Sequence, residues 1–402
     1  HGPMSDVPAA AAGAAASSSK PVRPLSEVTI LIAGDSGDGM QLTGSQFTLA
    51  TALARNDLAT LPDFPAEIRA PAGTTYGVSG FQLHFGSGEI HTPGDEVDLL
   101  VAMNPAALAV NLHRVRKAAP GRSAGAVLVN TDAFEKRNFE LAHIDSNPLE
   151  DGTLDGYEVF KIELNRLTRE TLAEHAEEHG LGTQDVDRCK NMFALGLALW
   201  LYTRPLEPAQ DWLTEKFARK PAIRDANLKA LKAGYFFGET TEVFAARYEV
   251  APATLAPGTY RAIKGNDALA LGLVAAKVKS GLDLASGVAL GTAVGGHLGV
   301  TGTSGPGLAL KTEFLGLALM TELPLVLIDV QRAGPSTGMP TKTEQSDLLM
   351  AVYGRNGDGP LPVIAASSPG DCYEVADEAC RIAVKHMPPV IVLSDGYLGN
   401  GS

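Results

Sequence analysis

Short apolar runs, each ended by a glycine-bearing turn and followed by a helix-length stretch, recur along this chain and leave few folds open to it. The clearest case is Val28-Thr29-Ile30-Leu31-Ile32-Ala33, then Gly34-Asp35-Ser36-Gly37-Asp38-Gly39, then a helical stretch from Met40 to about Arg55. β-Branched residues suit a pleated strand, and an unbroken apolar run is what a strand covered on both faces needs. Strand, glycine turn and helix together open a doubly wound α/β fold. Val97–Met103, Ala126–Asn130 and Glu158–Leu164 read as further strands, and alternating Phe81, Leu83 and Phe85 as another. Helices are expected over Leu108–Lys117 and Asn191–Tyr202, with a charged surface pair over Asp211–Ala233. This makes one Rossmann-like α/β domain over residues 26–240. Prolines and small residues mark 241–260 as a linker. A second α/β unit fills 261–402, with strands at Gly299–Gly302, Leu325–Val330, Leu361–Ala366 and Val390–Leu393. Its helices are expected at Gly307–Thr321, Lys342–Val352 and Asp371–Lys385. Residues 1–25 read as a tag remnant (His1-Gly2-Pro3) ahead of Met4 and a disordered Ala/Ser-rich tail.

A length of 402 residues fits two or three domains, and 45% hydrophobic with 20% charged residues is ordinary for a globular protein. The net charge of -13 argues against general binding to nucleic acid or anionic membrane and suits a cytoplasmic protein. No apolar run is long enough to span a membrane. Cys189, Cys372 and Cys380 stand far apart with no CxxC, so the chain alone cannot supply four ligands to an iron–sulfur cluster. The one His pair at metal spacing, His175-x-x-x-His179, lies in a charged helical run and reads as a solvated face.

Chemistry concentrates in Val326-Leu327-Ile328-Asp329-Val330-Gln331-Arg332-Ala333-Gly334-Pro335-Ser336-Thr337-Gly338-Met339-Pro340-Thr341-Lys342-Thr343-Glu344-Gln345-Ser346-Asp347. A short strand feeds a loop with one arginine, several hydroxyls, two glycines and two prolines. A rigid backbone around a lone guanidinium suits holding a small carboxylate in one pose. The bland alternative pairs Arg332 with Glu344 or Asp347. Thr301-Gly302-Thr303-Ser304-Gly305-Pro306-Gly307 follows a strand and opens a helix, which makes either an anion site or an ordinary N-cap. Gly34 to Gly39 is a similar turn, but its spacing is not the dinucleotide fingerprint and its two aspartates oppose phosphate. Glu67 and Arg69 either pair with each other or reach a partner. Turn chemistry alone explains Tyr353–Gly359, and Ser394–Ser402 is read as structural too.

The Val326–Asp347 run resembles, in nearly every position, the substrate loop of the alpha subunits of 2-oxoacid:ferredoxin oxidoreductases. The Gly34–Gly39 turn and the Phe64–Phe81 loop are similar to that family's gamma domain, and Thr303–Gly307 matches its turn near thiamine diphosphate. The resemblance implies a gamma-type Rossmann-like domain followed by a pyrimidine-type thiamine diphosphate domain. It also implies CoA-dependent oxidative decarboxylation of a 2-oxo acid with electrons passed to ferredoxin. On it, Arg332 holds the substrate carboxylate, Thr337 donates beside it, and Ser336 and Thr341 stand behind them. Thr303, Ser304 and Gly305 lie near thiamine diphosphate, and Gly34, Gly37 and Gly39 help close over coenzyme A. A beta subunit supplies most of the thiamine diphosphate and Mg2+ site and a [4Fe-4S] cluster, in an alpha2beta2 assembly. The gamma-before-alpha order and the wording of Gln331–Thr341 favour 2-oxoglutarate, with pyruvate or another 2-oxo acid as the alternative. A non-catalytic scaffold that binds nucleotide or coenzyme A through Gly34–Gly39 is a third reading. The chain departs from the family where a Tyr-Pro-Ile-Thr-Pro segment and an acidic helix start are normal, between the positions matching Gly281 and Gly287. Only Asp283 stands near the family's cofactor-protonating glutamate, so the second domain is expected to be incomplete. The family's chains also continue beyond the position of Ser402.

Overall fold

The computed structural model describes residues 20–65, 70–280, 284–286 and 289–402; the expectations for Glu67, Arg69, Asp283 and the 1–19 tail fall outside them. Contacts divide the chain into two compact units, one of residues up to Ser26 with Glu163–Ala251, the other of Glu27–Ile162 with Pro252–Ser402. This differs from a serial split at a 241–260 linker, because the supposed linker contains a strand.

In the first unit, β1 (Val22–Leu25) pairs in parallel with β8 (Arg247–Val250). The helix Lys190–Leu201 is apolar on every side and buried from Asn191 onward, as such a helix must be. The helix Pro221–Thr240 crosses it at glycines. A Cβ on Gly234 would lie 1.9 Å from the Phe193 carbonyl oxygen, and one on Gly196 would lie 2.0 Å from that of Leu231. Hydrogen-only side chains let these backbones touch. Leu164–His179 covers the pair through Leu164, Thr168, Leu172 and His175. Trp200, wholly buried, donates its indole N–H to Glu239 Oε2 at 2.8 Å.

The second unit holds two sheets. The six-stranded one has the order β3 (Asp57–Asp63), β4 (Val78–Gly86), β2 (Glu27–Asp35), β5 (Leu99–Ala102), β6 (Ala126–Asn130) and β7 (Glu158–Ile162). β2, β5, β6 and β7 run parallel, while β4 pairs antiparallel with both β2 and β3. The alternation of Phe81, Leu83 and Phe85 suggests one buried face. β4 is instead buried along nearly its whole length, with helices packed on the sheet; the helix Met40–Leu53 lies so close that a Cβ on Gly44 would come within 2.1 Å of the Phe81 ring.

The five-stranded sheet is wholly parallel: β12 (Val363–Ala365), β13 (Pro389–Asp395), β11 (Leu325–Gln331), β10 (Leu298–Thr303) and β9 (Leu284–Ser286). One face packs Leu298, Val300, Val326, Val390 and Val392 against the helices Gly265–Ser280 and Asp371–His386. The other packs Leu325, Leu327, Ile391 and Leu393 against Leu308, Leu315 and Ala318 of the helix Gly305–Met320 and Ala351 of the helix Leu348–Tyr353. Gly305–Met320 also carries a second apolar stripe: Leu310 and Met320 are each 81% exposed, with Phe314 and Leu317 about half exposed beside them.

Candidate functional site

In a parallel sheet the strand ends and helix starts on the carboxyl side form the binding edge. Thr303 on β10 stands opposite Asp329 on β11, so the Thr303–Gly307 turn and the Arg332 loop leave the same edge from neighbouring strands. Arg332 and the Thr303–Ser304–Gly305 turn therefore follow adjacent strand ends, while Ser336 and Thr337 lie further out on the exposed part of the Arg332 loop.

The loop after β11 closes on itself. Ala333 N–H donates to Lys342 O at 2.9 Å, Met339 N–H to Ala333 O and Lys342 N–H to Met339 O. Gly334 N–H donates to Glu344 Oε2 at 2.9 Å. Lys342 Nζ donates to Asp63 Oδ1 at 2.7 Å and to the Phe64 carbonyl at 2.9 Å, which ties the loop to the end of β3. Ser336 takes a left-handed φ of 55° and Gly338 one of 49°, whereas Ala333 is not left-handed, so alanine is tolerated there. Ser336 and Thr337 are exposed. Thr341 is half-buried, and its hydroxyl donates to Pro65 O at 3.0 Å, so its proton is committed away from any ligand.

Arg332 is half-buried, and its Nε is a buried donor without a partner. No ion pair to Glu344 or Asp347 is present among the described residues, which removes the bland reading of this arginine. Glu344 serves the Gly334 amide, and Asp347 meets Asp329. An orphaned guanidinium N–H costs roughly 1–3 kcal/mol or more unless a ligand accepts from it. Ser304 is the N-cap of Gly305–Met320 yet makes no capping bond, so its hydroxyl is uncommitted to the helix. Asp329 and Asp347 are the residues that sequence reasoning missed. The available signal was an aspartate inside an otherwise apolar strand.

The Gly34–Gly39 turn is consumed by its own structure. Asp35 N–H donates to Asp38 Oδ2, Asp35 Oδ1 accepts from Gly73 N–H, and Gly39 supplies the left-handed φ of 75° that starts the next helix. A larger cavity of about 950 Å³ touches Arg55, Arg261, Ser367, Ser368 and Gly370. Its helix start is already satisfied by Asp371, which accepts from Ser367, and by Ser368, which accepts from Asp371 N–H. The solvated-face reading holds for His179, which is exposed, but not for His175. His175 is buried, donates Nε2–H to Ala222 O at 2.9 Å and faces Lys229 Nζ through Nδ1. Glu178 completes a three-residue cluster there, but neither His175 nitrogen is free for a metal.

The cysteines do not fit cluster ligation. All three are free and buried, and burial pushes Cys189 and Cys380 up to about 12 and Cys372 up to about 11, far from the thiolate form that iron requires. The Thr303–Ser304–Gly305 turn does fit part of a diphosphate cofactor, through an uncapped helix start and the Ser304 hydroxyl, whereas the Thr303 hydroxyl already donates to Ser304 O at 3.4 Å.

A parallel sheet flanked by helices, with the turns after β10 and β11 leaving its carboxyl edge, defines the chain as an α/β protein of the doubly wound class. Family comparisons make this specific. Residues 29–237 match the model described as pyruvate ferredoxin/flavodoxin oxidoreductase, and residues 280–402 match that family's thiamine-diphosphate-binding domain. The chain belongs to the pyruvate ferredoxin/flavodoxin oxidoreductase family. It is 51% identical, over 94% of its length, to the 2-oxoglutarate oxidoreductase subunit KorA of Mycobacterium tuberculosis, and covers 62% of that protein. It is 44% identical over 29% of its length to the 2-oxoglutarate synthase subunit KorA of Methanothermobacter marburgensis, covering 31% of it. Among solved structures it matches 2-oxoglutarate:ferredoxin oxidoreductase from Magnetococcus marinus, with 2-oxoglutarate, coenzyme A and succinyl-CoA bound. That match has a TM-score of 0.75 at 28% identity and covers 94% of this chain and 65% of the other. The chain thus spans less than two thirds of these relatives.

Proposed function

We propose that this chain is the alpha-type, substrate-holding subunit of a 2-oxoglutarate:ferredoxin oxidoreductase, an enzyme forming succinyl-CoA and CO2 from 2-oxoglutarate and coenzyme A while electrons pass to ferredoxin. The observation that carries the reading is the buried, unpartnered Nε of Arg332 on the carboxyl edge of a thiamine-type domain. The names of the relatives supply the substrate. Arg332 holds a carboxylate of the 2-oxo acid through its planar fork, and the exposed Thr337 hydroxyl donates beside it. Ser336 borders them. Thr341 acts by anchoring the loop to Pro65. Thr303, Ser304 and Gly305 face the thiamine diphosphate, which supplies, when bound, the nucleophilic carbon for the 2-carbonyl. The loop's own hydrogen bonds hold this array before substrate arrives, which lowers the entropic cost of binding.

The remaining parts belong to a partner. A beta subunit brings the cluster and most of the Mg2+–diphosphate site, and the pair doubles to alpha2beta2. Its landing place on this chain is the second apolar stripe of Gly305–Met320. There Leu310 and Phe314 border an apolar depression of about 360 Å³ with Leu290, Leu315, Leu325 and Leu327. A cytoplasmic location accords with the reducing conditions such a cluster needs; no described helix is long and apolar enough to cross a membrane.

The test is a panel of 2-oxo acids with coenzyme A and a viologen acceptor, run on the protein purified together with whatever subunit accompanies it. 2-Oxoglutarate is expected to be turned over in preference to pyruvate. Preference for pyruvate, or no CoA-dependent reduction with any 2-oxo acid, refutes the assignment.

A further inference from the structure

Asp329 is fully buried on the face of β11 shared with Leu325 and Leu327, under the helices Gly305–Met320 and Leu348–Tyr353. Neither of its carboxyl oxygens accepts from any N–H or O–H donor among the described residues. Asp347, immediately before the helix Leu348–Tyr353, has a buried Oδ2 in the same condition. The two carboxyl groups lie within hydrogen-bonding reach of each other. Two carboxylates touching in a low-dielectric interior repel strongly, whereas one proton between them makes a short charge-assisted O–H···O bond and supplies the missing donor.

We propose that Asp329 and Asp347 are positioning residues, a carboxyl pair sharing one proton that pins the Arg332–Asp347 segment onto the sheet in the posture that presents the Arg332 guanidinium. The inference rests on Arg332 as the anion-holding group.

The surroundings are shaped for such a pair. A Cβ on Gly305 would come within 2.6 Å of both Asp347 oxygens, so glycine at that helix start clears their room. Gln331 accepts from Asp347 N–H through Oε1 at 3.1 Å and donates through Nε2 to Ser394 O at 3.3 Å, fixing the backbone beside the carboxyl. The loop is thereby clamped at both ends, by the hydrogen bond from Ala333 N–H to Lys342 O and by the acid pair. No cation replaces the proton. Lys311 on the helix Gly305–Met320 turns its Nζ to Gly307 O, Lys342 pairs with Asp63, and Arg332 makes no ion pair among the described residues. The other acids nearby are Glu344, which bonds Gly334 N–H and raises Asp347, and Asp395 on β13, whose oxygens take Leu398 N–H and Gln345 Nε2. β10 contributes only the neutral Thr303. Burial, with Asp347 adding to it, pushes Asp329 up to about 7, so the proton is lost near neutral pH.

The experiment uses the full-length protein as purified. Backbone hydrogen exchange over residues 333–347, corrected for intrinsic rates, is followed from well below to well above neutral pH, with infrared spectra for a protonated carboxylic acid. In the wild type, protection falls, the acid band disappears and 2-oxoglutarate binding weakens as pH rises. Asp329→Asn, whose amide donates at every pH, keeps its protection at alkaline pH and lacks the band; Asp347→Asn serves if that variant does not fold. Wild-type protection and an acid band that ignore pH overturn the proposal, as does an Asn variant that titrates like wild type. Arg332→Ala separates the two readings. If it leaves 2-oxoglutarate binding intact, the anion assignment fails, while the exchange profile still judges the acid pair.

Discussion

Arg332 stood out before any fold was known, because a single guanidinium among glycine, proline and threonine has no packing purpose; the structure adds that its Nε is buried without a partner. What the order of residues did not reveal is that both of its nearby acids are occupied elsewhere, Glu344 by a backbone amide and Asp347 by Asp329. Replacing Arg332 by alanine is expected to cost about 3 kcal/mol in kcat/KM, roughly a hundredfold, because a desolvated carboxylate is left without its partner. Lysine at the same place should restore only part of the loss, since an ammonium cannot make the two-pronged contact. Steady-state kinetics with saturating cofactors checks both. Thr341 shows the limit of reading by motif. Its type and spacing fit a substrate loop, yet its hydroxyl serves a carbonyl 276 positions earlier, a contact that no local pattern encodes.

The strands were the most legible elements. β2, β6, β10, β11 and β13 lie where uninterrupted β-branched and apolar runs place them, since burial on both faces leaves a sequence little choice. The expected helix over Lys342–Val352 survives only as Leu348–Tyr353. Lys342 spends its ammonium on Asp63 and Phe64, and its amide and carbonyl on the loop, so helical hydrogen bonding cannot begin there. β8 was hidden in a proline-rich stretch because its partner β1 lies at the other end of the unit. At the crossing of Lys190–Leu201 with Pro221–Thr240, the glycines are the constraint. Gly234→Ala forces two backbones apart and is expected to destabilise the first unit by about 1–3 kcal/mol, read as a lowered denaturation midpoint.

For the molecule as a whole, the buried acid pair predicts a particular pH profile of stability. Asp329 ionises near its ordinary value of 3.8 when unfolded and near 7 when folded. Between those limits the folded state binds the extra proton, so the contribution of Asp329 to stability is full below about pH 4, declines as pH rises, and is lost above about 7. The total from this residue is on the order of a few kcal/mol, and denaturant melts across pH should lose that slope in Asp329→Asn. Association is the second property at this scale. Phe314→Glu places a charge in the exposed apolar stripe and is expected to abolish co-purification of the accompanying subunit while the chain keeps its own circular dichroism; unaltered co-purification would move the interface elsewhere.

The two-stranded β1–β8 ribbon has a bearing on biosynthesis. When Ile162 has left the ribosome, all six strands of the first sheet are already outside and free to pair, yet β1 stays widowed until Val250 follows. The first unit therefore closes after that sheet, and a nascent polypeptide stalled just short of β8 would carry an open strand edge, the feature that invites aggregation and chaperone capture.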